Sequence, residues 1–262
     1  MASTFDGLPY EKQATPSQIT AYQQRTGSIL YPAVVTRPDI AFAASKLCQF
    51  NQNPGPSHIQ EADRCICYLS RTKNLAIQYS GEIPHPNYEP FSAFTAASDA
   101  SYGDVLPGRQ SSQGFVISLF GGPVAWQASR QKTVTTSTTE AELLALSHTA
   151  KEVLAMMRLF RQMRLQVEEE PSVLCDNLQT VGIINKEQPQ LTTKLRHVDI
   201  HQFWLRQEAT EGRISVVWVP TAEMPADGLT KALPRQKHEE FITQLQLSPL
   251  EMGQSLPTQN LA

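Results

Sequence analysis

The chain has 262 residues, of which 40% are hydrophobic and 18% charged, with a formal net charge of -3 and a pI of about 6.1. This length is enough to bury a sizeable core, and the composition is ordinary for a soluble globular protein. The slightly acidic balance excludes a global basic field, so a nucleic-acid partner would have to meet a local basic patch.

The N-terminal part is predicted to be mainly helical. Residues 1–24 are polar with scattered glycine and proline, and we expect them to be poorly ordered. Within residues 25–80, one helix is predicted to begin around Pro38 and another to span 58–71, followed by a short strand at 76–79. These elements carry few apolar positions, so we expect them to dock on the part of the chain that follows.

A proline-rich segment divides the chain. Residues 81–90 contain three prolines and predict a linker before a larger domain at 91–247. That domain begins with three strands joined by short turns, which indicate an antiparallel meander. It continues with a long helix and two further strands with helices between and after them. Residues 248–262 are polar and are predicted to form a mobile tail.

The long helix begins with two glutamates in different situations. Ser137 followed by Glu140 is a capping box, in which the serine hydroxyl accepts from the Glu140 amide and the glutamate accepts from the cap amide. Apolar residues then recur at helical spacing, so Glu142 falls among residues that face a core. A carboxylate there is costly unless a cation meets it, although a glutamate that reaches water from the rim of a core is the commoner case.

Four carboxylates lie next to predicted strand ends or helix starts. Asp99 lies in or at the end of the first strand, Glu142 opens the long helix, Asp176 follows a buried strand and Asp227 follows the last strand. Such places gather the sites of α/β folds, and acids without histidine or a C-x-x-C pair suit Mg²⁺ or Mn²⁺ rather than zinc. Aspartates at strand ends are also common as caps and turn formers, so the acids alone leave both interpretations open.

The order and wording of these segments resemble ribonuclease H. More closely, they resemble the ribonuclease H domain, with the preceding reverse-transcriptase thumb or connection segment, of copia-type LTR-retrotransposon polyproteins. The matching phrases are 36–41 (TRPDIA), 98–104 (SDASYGD), 130–134 (RQKTV), 137–142 (STTEAE), 175–177 (CDN), 196–200 (RHVDI), 219–221 (VPT) and 226–231 (ADGLTK). The resemblance covers about 22–247, which is nearly the whole chain.

The resemblance implies an α/β, ribonuclease H-like fold with a mixed five-stranded sheet, in which three antiparallel strands are followed by parallel ones. Helices would flank the sheet, and a small, mainly helical segment would precede it. By position, Asp99, Glu142, Asp176 and Asp227 would be the catalytic residues and the ligands of two Mg²⁺ ions, which Mn²⁺ could replace. The implied activity is endonucleolytic hydrolysis of the RNA strand of RNA–DNA hybrids.

The implied partners are an RNA–DNA hybrid and the polymerase portion of the polyprotein. Polymerase activity is not expected, because the chain contains no Asp-Asp pair. No apolar run has the length of a membrane span and the N-terminus lacks a signal-peptide pattern, so no membrane partner is expected. The expected location is intracellular, in the cytoplasm or nucleus, or in a virus-like particle if the chain is part of an active element.

Six polar residues are the predicted substrate contacts. Thr138, Thr139 and Asn177 could recognise the 2′-hydroxyl that distinguishes RNA from DNA. The basic residues that could contact phosphates are Arg130, Lys132 and Arg196. The first three are equally suited to capping helices or forming turns, and the basic residues equally fit a solvated surface, so both interpretations stay open.

Two rival hypotheses compete with the enzyme. The first is a catalytically silent retroelement remnant that only binds nucleic acid or a partner protein; the intact set of four acids argues mildly against it. The second is another nuclease or an integrase on the ribonuclease H-like fold. An integrase would place its glutamate last and carry a His/Cys zinc module upstream. Here the glutamate comes second and no such module is present.

Overall fold

The computed structural model describes residues 5, 7–79, 93–165, 167, 170–186 and 196–250, without the side chain of His197. The predicted linker at 81–90 lies outside these residues. The helices are α1 (Pro16–Val35), α2 (Ala41–Cys48), α3 (Pro56–Arg71), α4 (Thr138–Gln162), α5 (Leu178–Ile184), α6 (Arg196–Thr210) and α7 (Arg235–Gln244). The strands are β1 (Leu75–Ile77), β2 (Phe94–Val105), β3 (Gln110–Leu119), β4 (Gly122–Arg130), β5 (Ser172–Cys175), β6 (Ser215–Trp218) and β7 (Leu247–Pro249). Short 3₁₀ turns occur at Pro38–Ile40, Thr221–Glu223 and Asp227–Leu229.

Five strands form one mixed sheet in the order β4-β3-β2-β5-β6. β2, β3 and β4 pair antiparallel, whereas β5 lies parallel to β2 and β6 lies parallel to β5. Parallel pairs require crossover connections, and here helix α4 and the α5–α6 pair lie in those connections. The strand order and directions confirm the predicted ribonuclease H-like fold.

The long helix α4 packs against one face of the sheet. Its residues Leu143, Leu146, Ala150 and Val153 recur at helical spacing and are fully buried in a cluster with residues of β2, β3 and β5. Burying one leucine side chain contributes about 1.5–3 kcal/mol, so this stripe fixes the rotation of the helix about its axis. Glu142, the neighbour of Leu143, is thereby brought to the edge of the core.

The opposite face of the sheet is covered by both parts of the chain. A second buried cluster joins residues of the sheet with Phe241 of α7 and with Ala41 of α2. The Trp126 indole nitrogen on β4 donates to the carbonyl of Ala33 at 2.6 Å, and β1 pairs antiparallel with β7. The predicted docking is therefore present. The N-terminal helices also have a buried cluster of their own, which includes Tyr22, Leu47 and Ala62, and the predicted division into domains at 25–80 and 91–247 stays a prediction.

The prediction that residues 1–24 are poorly ordered is wrong from Pro16 onwards, because α1 begins there. Thr15 caps the helix through a capping box, and Pro16 takes the first helical position, where a missing N–H costs nothing. Tyr22 is fully buried, and its hydroxyl donates to the Leu47 carbonyl at 2.9 Å. Tertiary contacts with α2 thus order a stretch whose composition is polar.

The C-terminal boundary also moves. Ser248 lies in β7 and pairs with Ala76 of β1, so the predicted tail begins too early. The remaining part of that prediction, at 251–262, lies outside the described residues. Among the helices that the structure describes, none is long and apolar enough to cross a membrane.

A buried ion pair stabilises the N-terminal helices. Arg37 donates to both carboxylate oxygens of Asp39, at 2.8 and 2.7 Å, and also to the carbonyl and hydroxyl oxygens of Thr72. The side chains of Arg37 and Asp39 are 6% and 0% exposed. Removing one partner would leave the other charge buried and uncompensated.

We expect Arg37→Met to lower the free energy of unfolding by about 3–5 kcal/mol, because Asp39 would lose its cation. Arg25→Met is the matched control, since the Arg25–Asp63 pair is largely exposed and such pairs contribute about 0–1 kcal/mol. Urea denaturation followed by circular dichroism measures both values. Equal losses in the two variants would contradict the buried role of Arg37.

Candidate metal centre

Three of the four predicted acids meet at the centre of the sheet. Asp99 lies in the middle of β2, Glu142 in the second turn of α4, and Asp176 directly after β5. One carboxylate oxygen from each lies within 4.8 Å of the others. The parallel pairing of β2 with β5, together with the packing of α4 across them, brings these residues together although they are far apart in sequence.

Asp99 is buried and is fixed by a threonine. The Thr230 hydroxyl donates to Asp99 Oδ2. Burial raises the pKa of the Asp99 carboxyl from its ordinary 3.8 to about 6; the Thr230 hydrogen bond opposes this shift, and the negative charges of Asp227 and Asp176 add to it. A raised pKa means that the metal-free protein stabilises the charged carboxylate less well than water does.

Glu142 is the least satisfied acid of the group. Its Oε1 accepts only a long hydrogen bond of 3.4 Å from the Ala100 amide, and its Oε2 is buried without a hydrogen-bond partner. Burial raises the pKa of the Glu142 carboxyl well above its ordinary value, and the charges of Asp99 and Asp176 raise it further. A buried oxygen without a partner costs about 1–3 kcal/mol, which a bound cation would offset.

Asp176 is half-buried and is oriented by the loop after the last sheet strand. The Thr221 hydroxyl donates to Asp176 Oδ2 at 2.8 Å, and the Trp218 indole nitrogen donates to the Asp176 carbonyl at 3.1 Å. These two bonds hold the residue where β5 ends beside β6. Each of Asp99 and Asp176 therefore has one carboxylate oxygen bound to a threonine hydroxyl.

Asp227 lies beside the group of three acids and is not part of it. Its Oδ1 pairs with the Lys231 ammonium at 2.5 Å, one helical turn further along the chain. Burial raises the pKa of the Asp227 carboxyl, while Lys231 opposes the shift and the charge of Asp176 adds to it. The role of Asp227 as a fourth metal ligand therefore stays a prediction.

Glu140 serves the helix, as predicted, with one correction. The Ser137 hydroxyl accepts from the Glu140 amide at 3.2 Å, which confirms the cap. Glu140 Oε2 accepts from the amide and the hydroxyl of Thr136, at 2.6 and 2.8 Å, rather than from the cap amide of Ser137. Because these bonds occupy Glu140, Glu142 is the glutamate that remains for chemistry.

The predicted contacts for the 2′-hydroxyl lie around the acids. Thr138 is exposed at the start of α4, whereas Thr139 is buried and donates to Gln179 of α5 at 3.0 Å. Asn177 follows Asp176 and caps α5, because its side chain accepts from the Thr180 amide at 2.9 Å. The capping interpretation of Asn177 is thus present in the structure, and Thr138 is the freer of the two threonines.

The predicted phosphate contacts are exposed and lie outside the acidic group. Arg130 ends the edge strand β4, Lys132 follows it, and Arg196 opens α6. Within the described part of the chain, none of these three cations has an ion-pair partner. Their role in binding phosphate stays a prediction.

Sequence reasoning assigned no role to several residues that hold the acids in place. The partner of Thr230 is 131 residues away, so no local pattern could reveal that hydrogen bond. Thr221 likewise acts across the sheet on Asp176. A usable signal existed only for Lys231, which lies four residues after Asp227, the spacing that pairs charges on a helix.

The ligand atoms at the site determine which kind of metal ion it could bind. All the side-chain ligands are carboxylate oxygens, which hard divalent cations prefer. Cys175 is buried beside the acids, and burial raises the pKa of its thiol well above the ordinary value, with the charge of Glu142 adding to the shift. Because the three acids supply only oxygen ligands and a single cysteine lies beside them, a soft metal is disfavoured.

A glycine permits the close approach of the turn that carries Asp227. Gly114 pairs with Asp99 across β2 and β3, and a Cβ at this position would lie 2.5 Å from Leu229 Cβ. Real Cβ atoms do not approach so closely. The absent side chain therefore lets the 3₁₀ turn lie on the sheet, with Thr230 in reach of Asp99.

The strand order and the three converging acids define the class, a ribonuclease H-like protein with a buried acidic centre. No family model matches the chain. It is 32% identical over 218 residues to the retrovirus-related Pol polyprotein from transposon TNT 1-94 of Nicotiana tabacum, and 29% identical over 226 residues to that from transposon RE1 of Arabidopsis thaliana. These matches cover 83% and 86% of the chain but only 16% and 15% of the two polyproteins. The homologues of the chain are therefore retrovirus-related Pol polyproteins from copia-type transposons.

A shorter relative and a solved structure also match. Secreted RxLR effector protein 161 of Plasmopara viticola is 35% identical over 133 residues, a match that covers 50% of this chain and 87% of that protein. The N-terminal ribonuclease H domain of a Mycobacterium tuberculosis protein is 16% identical with a TM-score of 0.41. That match covers 58% of this chain and 98% of the solved chain.

We expect Gly114→Ala to destabilise the fold by about 1–3 kcal/mol, because its methyl group would press on the Asp227 turn, and to weaken divalent-ion binding. Gly27→Ala is the control: a Cβ at Gly27 in α1 meets nothing within 4 Å, and alanine favours a helix by up to about 1 kcal/mol. Thermal melting with and without Mg²⁺ compares the two variants. An unchanged Mg²⁺-dependent rise in Tm for Gly114→Ala would contradict the role given to the glycine.

The raised pKa values predict a pH dependence of the metal-free protein. Since the folded-state pKa of Asp99 is about 6 and its ordinary value is 3.8, its contribution to stability is present below about pH 4 and is lost as the pH rises through about 6. The shift corresponds to about 3 kcal/mol, and Asp99→Asn should abolish most of it. Urea denaturation at pH 4, 5, 6 and 7 in EDTA measures this difference. If the wild type gained stability relative to Asp99→Asn over that range, the sign would be wrong.

Proposed function

We propose that this chain is the ribonuclease H region of a copia-type retrotransposon polyprotein and hydrolyses the RNA strand of RNA–DNA hybrids. The supporting observation is the convergence of Asp99, Glu142 and Asp176, whose carboxylate oxygens lie within 4.8 Å, in a relative of Pol polyproteins. The partners would be the hybrid and the remainder of the polyprotein. The products would carry a 5′-phosphate and a 3′-hydroxyl.

The acidic group fits a divalent cation. Its donors are all oxygens, two of the three acids have raised pKa values, and Glu142 Oε2 is buried without a partner. Asp99, Glu142 and Asp176 would hold one Mg²⁺ or Mn²⁺, and Asp227 would serve a second. When bound, such ions lower the pKa of a coordinated water and neutralise charge on a phosphodiester.

The chain's own residues orient the carboxylates and keep water away from the site. Thr230 binds one carboxylate oxygen of Asp99, and Thr221 binds one carboxylate oxygen of Asp176. The other oxygen of each carboxylate is left available for a metal ion. The core beneath Glu142 excludes water, so charge interactions at the site are stronger than in solvent. Exposed Thr138 at the start of α4 is the candidate for contact with a ribose hydroxyl, and Arg130, Lys132 and Arg196 are the candidates for phosphates.

One observation favours a second candidate. The Plasmopara viticola relative consists mostly of the region it shares with this chain, so this region occurs as the greater part of a short protein. A chain of this kind could keep the fold and bind nucleic acid or a protein without cleaving. The retained acids Asp99, Glu142 and Asp176 favour the enzyme, since a silent remnant gains nothing from clustered carboxylates of which two are buried.

A cleavage assay with matched variants tests the proposal. Purified chain is offered an RNA–DNA hybrid, duplex DNA and duplex RNA with Mg²⁺, and we expect cutting of the hybrid alone. Because changes beside a metal ligand already cost about 10–100-fold, Glu142→Gln and Asp176→Asn should each lower the rate by at least about a hundredfold with the fold intact.

Glu140→Gln is the matched control, two residues from Glu142. It should weaken the start of α4 by about 1 kcal/mol and leave the cleavage rate within about twofold. Tight binding of the hybrid without cutting would favour the silent remnant. A reversal, with Glu140→Gln inactive and Glu142→Gln active, would show that the wrong glutamate has been assigned.

A further inference from the structure

A continuous chain of polar contacts leads from the N-terminal helices to α7. The Tyr68 hydroxyl on α3 donates to Asp39 Oδ2 at 2.7 Å. His238 of α7 approaches the same hydroxyl through Nε2 at 3.2 Å, with the two rings edge to face. Because the phenol has one hydrogen and the carboxylate can only accept, His238 Nε2 is the donor of the second bond. Tyr68 thus joins α7 to the buried Arg37–Asp39 pair.

From α7 the contact continues to the turn that carries Asp227. Phe241 lies one helical turn after His238 and packs on Gly228, where an added Cβ would lie 2.5 Å from the ring. Gly228 is the residue next to Asp227. The position of α7 therefore sets how closely the turn can lie against the sheet.

The N-terminal helices meet this turn partly by packing and partly across a cavity, since Ala41 lies in one buried cluster with Leu229. A cavity of about 250 Å³ lies between them, lined by Ile40 and Phe42 on one side and by Gly228 and Lys231 on the other. Tyr68 and His238 also line this cavity. Because packing is incomplete around this cavity, the hydrogen bonds along its wall contribute more to holding the N-terminal helices against α7 and the Asp227 turn.

We propose that the N-terminal helices belong to the catalytic unit, and that Tyr68 is a positioning residue that acts through His238 and Phe241 to hold the Asp227 turn. The inference rests on the proposed function only in so far as Asp227 serves a metal ion. Its structural part, the coupling of Tyr68 to the turn, stands independently of any activity.

The test compares two tyrosine hydroxyls that both tie the N-terminal segment to the rest of the protein. Tyr68→Phe removes the bonds to Asp39 and His238. Tyr79→Phe is the matched control, because the Tyr79 hydroxyl donates to the Pro123 carbonyl at 2.9 Å on β4, away from the Asp227 turn. Each variant keeps its ring and changes one oxygen atom.

The first readout needs no activity. Hydrogen exchange of the metal-free full chain should be about fivefold faster at residues 226–231 in Tyr68→Phe and unchanged there in Tyr79→Phe. If Tyr68→Phe does not fold, His238→Phe breaks the same link from the other end. Equal exchange at 226–231 in the wild type and in the folded variant would overturn the inference.

The second readout concerns metal binding and catalysis. In calorimetric titrations with Mn²⁺, Tyr68→Phe should weaken ion binding by about three- to tenfold, less than a direct contact of a ligand would, whereas Tyr79→Phe should match the wild type. With hybrid substrate, kcat at limiting Mg²⁺ should fall by the same factor, KM should stay unchanged, and saturating Mg²⁺ should restore kcat. A loss that excess Mg²⁺ does not restore, or that Tyr79→Phe shares, would mean a merely structural role and would overturn the inference.

If the proposed function is wrong, the wild type itself gives different results. In that case the wild type itself neither binds Mn²⁺ nor cleaves the hybrid, whatever the variants do. The exchange comparison at 226–231 still decides whether Tyr68 holds the turn.

Discussion

The central constraint on this structure is the mutual repulsion of three carboxylates, of which Asp99 and Glu142 are buried and Asp176 is half-buried. At a separation of 4.8 Å and an effective dielectric constant of 20, two like charges repel by about 3 kcal/mol. Desolvation adds to this cost for Asp99 and Glu142, which are nearly fully buried. A protein can bear this arrangement by protonating an acid or by binding a cation, and only a cation lowers the cost while all three carboxylates stay charged. The site therefore has an unfavourable electrostatic free energy in the metal-free protein, which a bound divalent ion would offset.

The remainder of the fold can be understood as the means of holding that arrangement. The apolar stripe of α4 fixes Glu142 at the rim of one core, while the parallel pairing of β2 and β5 aligns Asp99 with Asp176. Thr230 and Thr221 orient two of the carboxylates, and Gly114 admits the turn that carries the first of these threonines. The second core, on the opposite face of the sheet, includes Ala41 from the N-terminal helices, so those helices support the five-stranded sheet directly.

The sequence allowed prediction of the parts that local periodicity and motif order specify. The long helix, the meander and the acids Asp99, Glu142 and Asp176 have such signals. Helix α7 has none, because Phe241 is its only buried residue and Ile242 is the only other apolar residue in it. Helix α1 was missed although Thr15 and Pro16 give a local signal for its start, because its polar composition was weighed more heavily and its buried contacts, such as the Tyr22 hydroxyl bond to Leu47, are distant in sequence. Only the structure separates Asp227 from the other acids, because its pairing with Lys231 depends on the geometry of a short turn.

The most direct measurement is anomalous scattering from a crystal of the full chain soaked in Mn²⁺ at neutral pH. The account predicts a strong anomalous peak about 2.1 Å from oxygens of Asp99, Glu142 and Asp176, with Glu142 Oε2 or Oε1 among its ligands. A map without a peak at that position, in crystals where the three carboxylates keep their places, would contradict it.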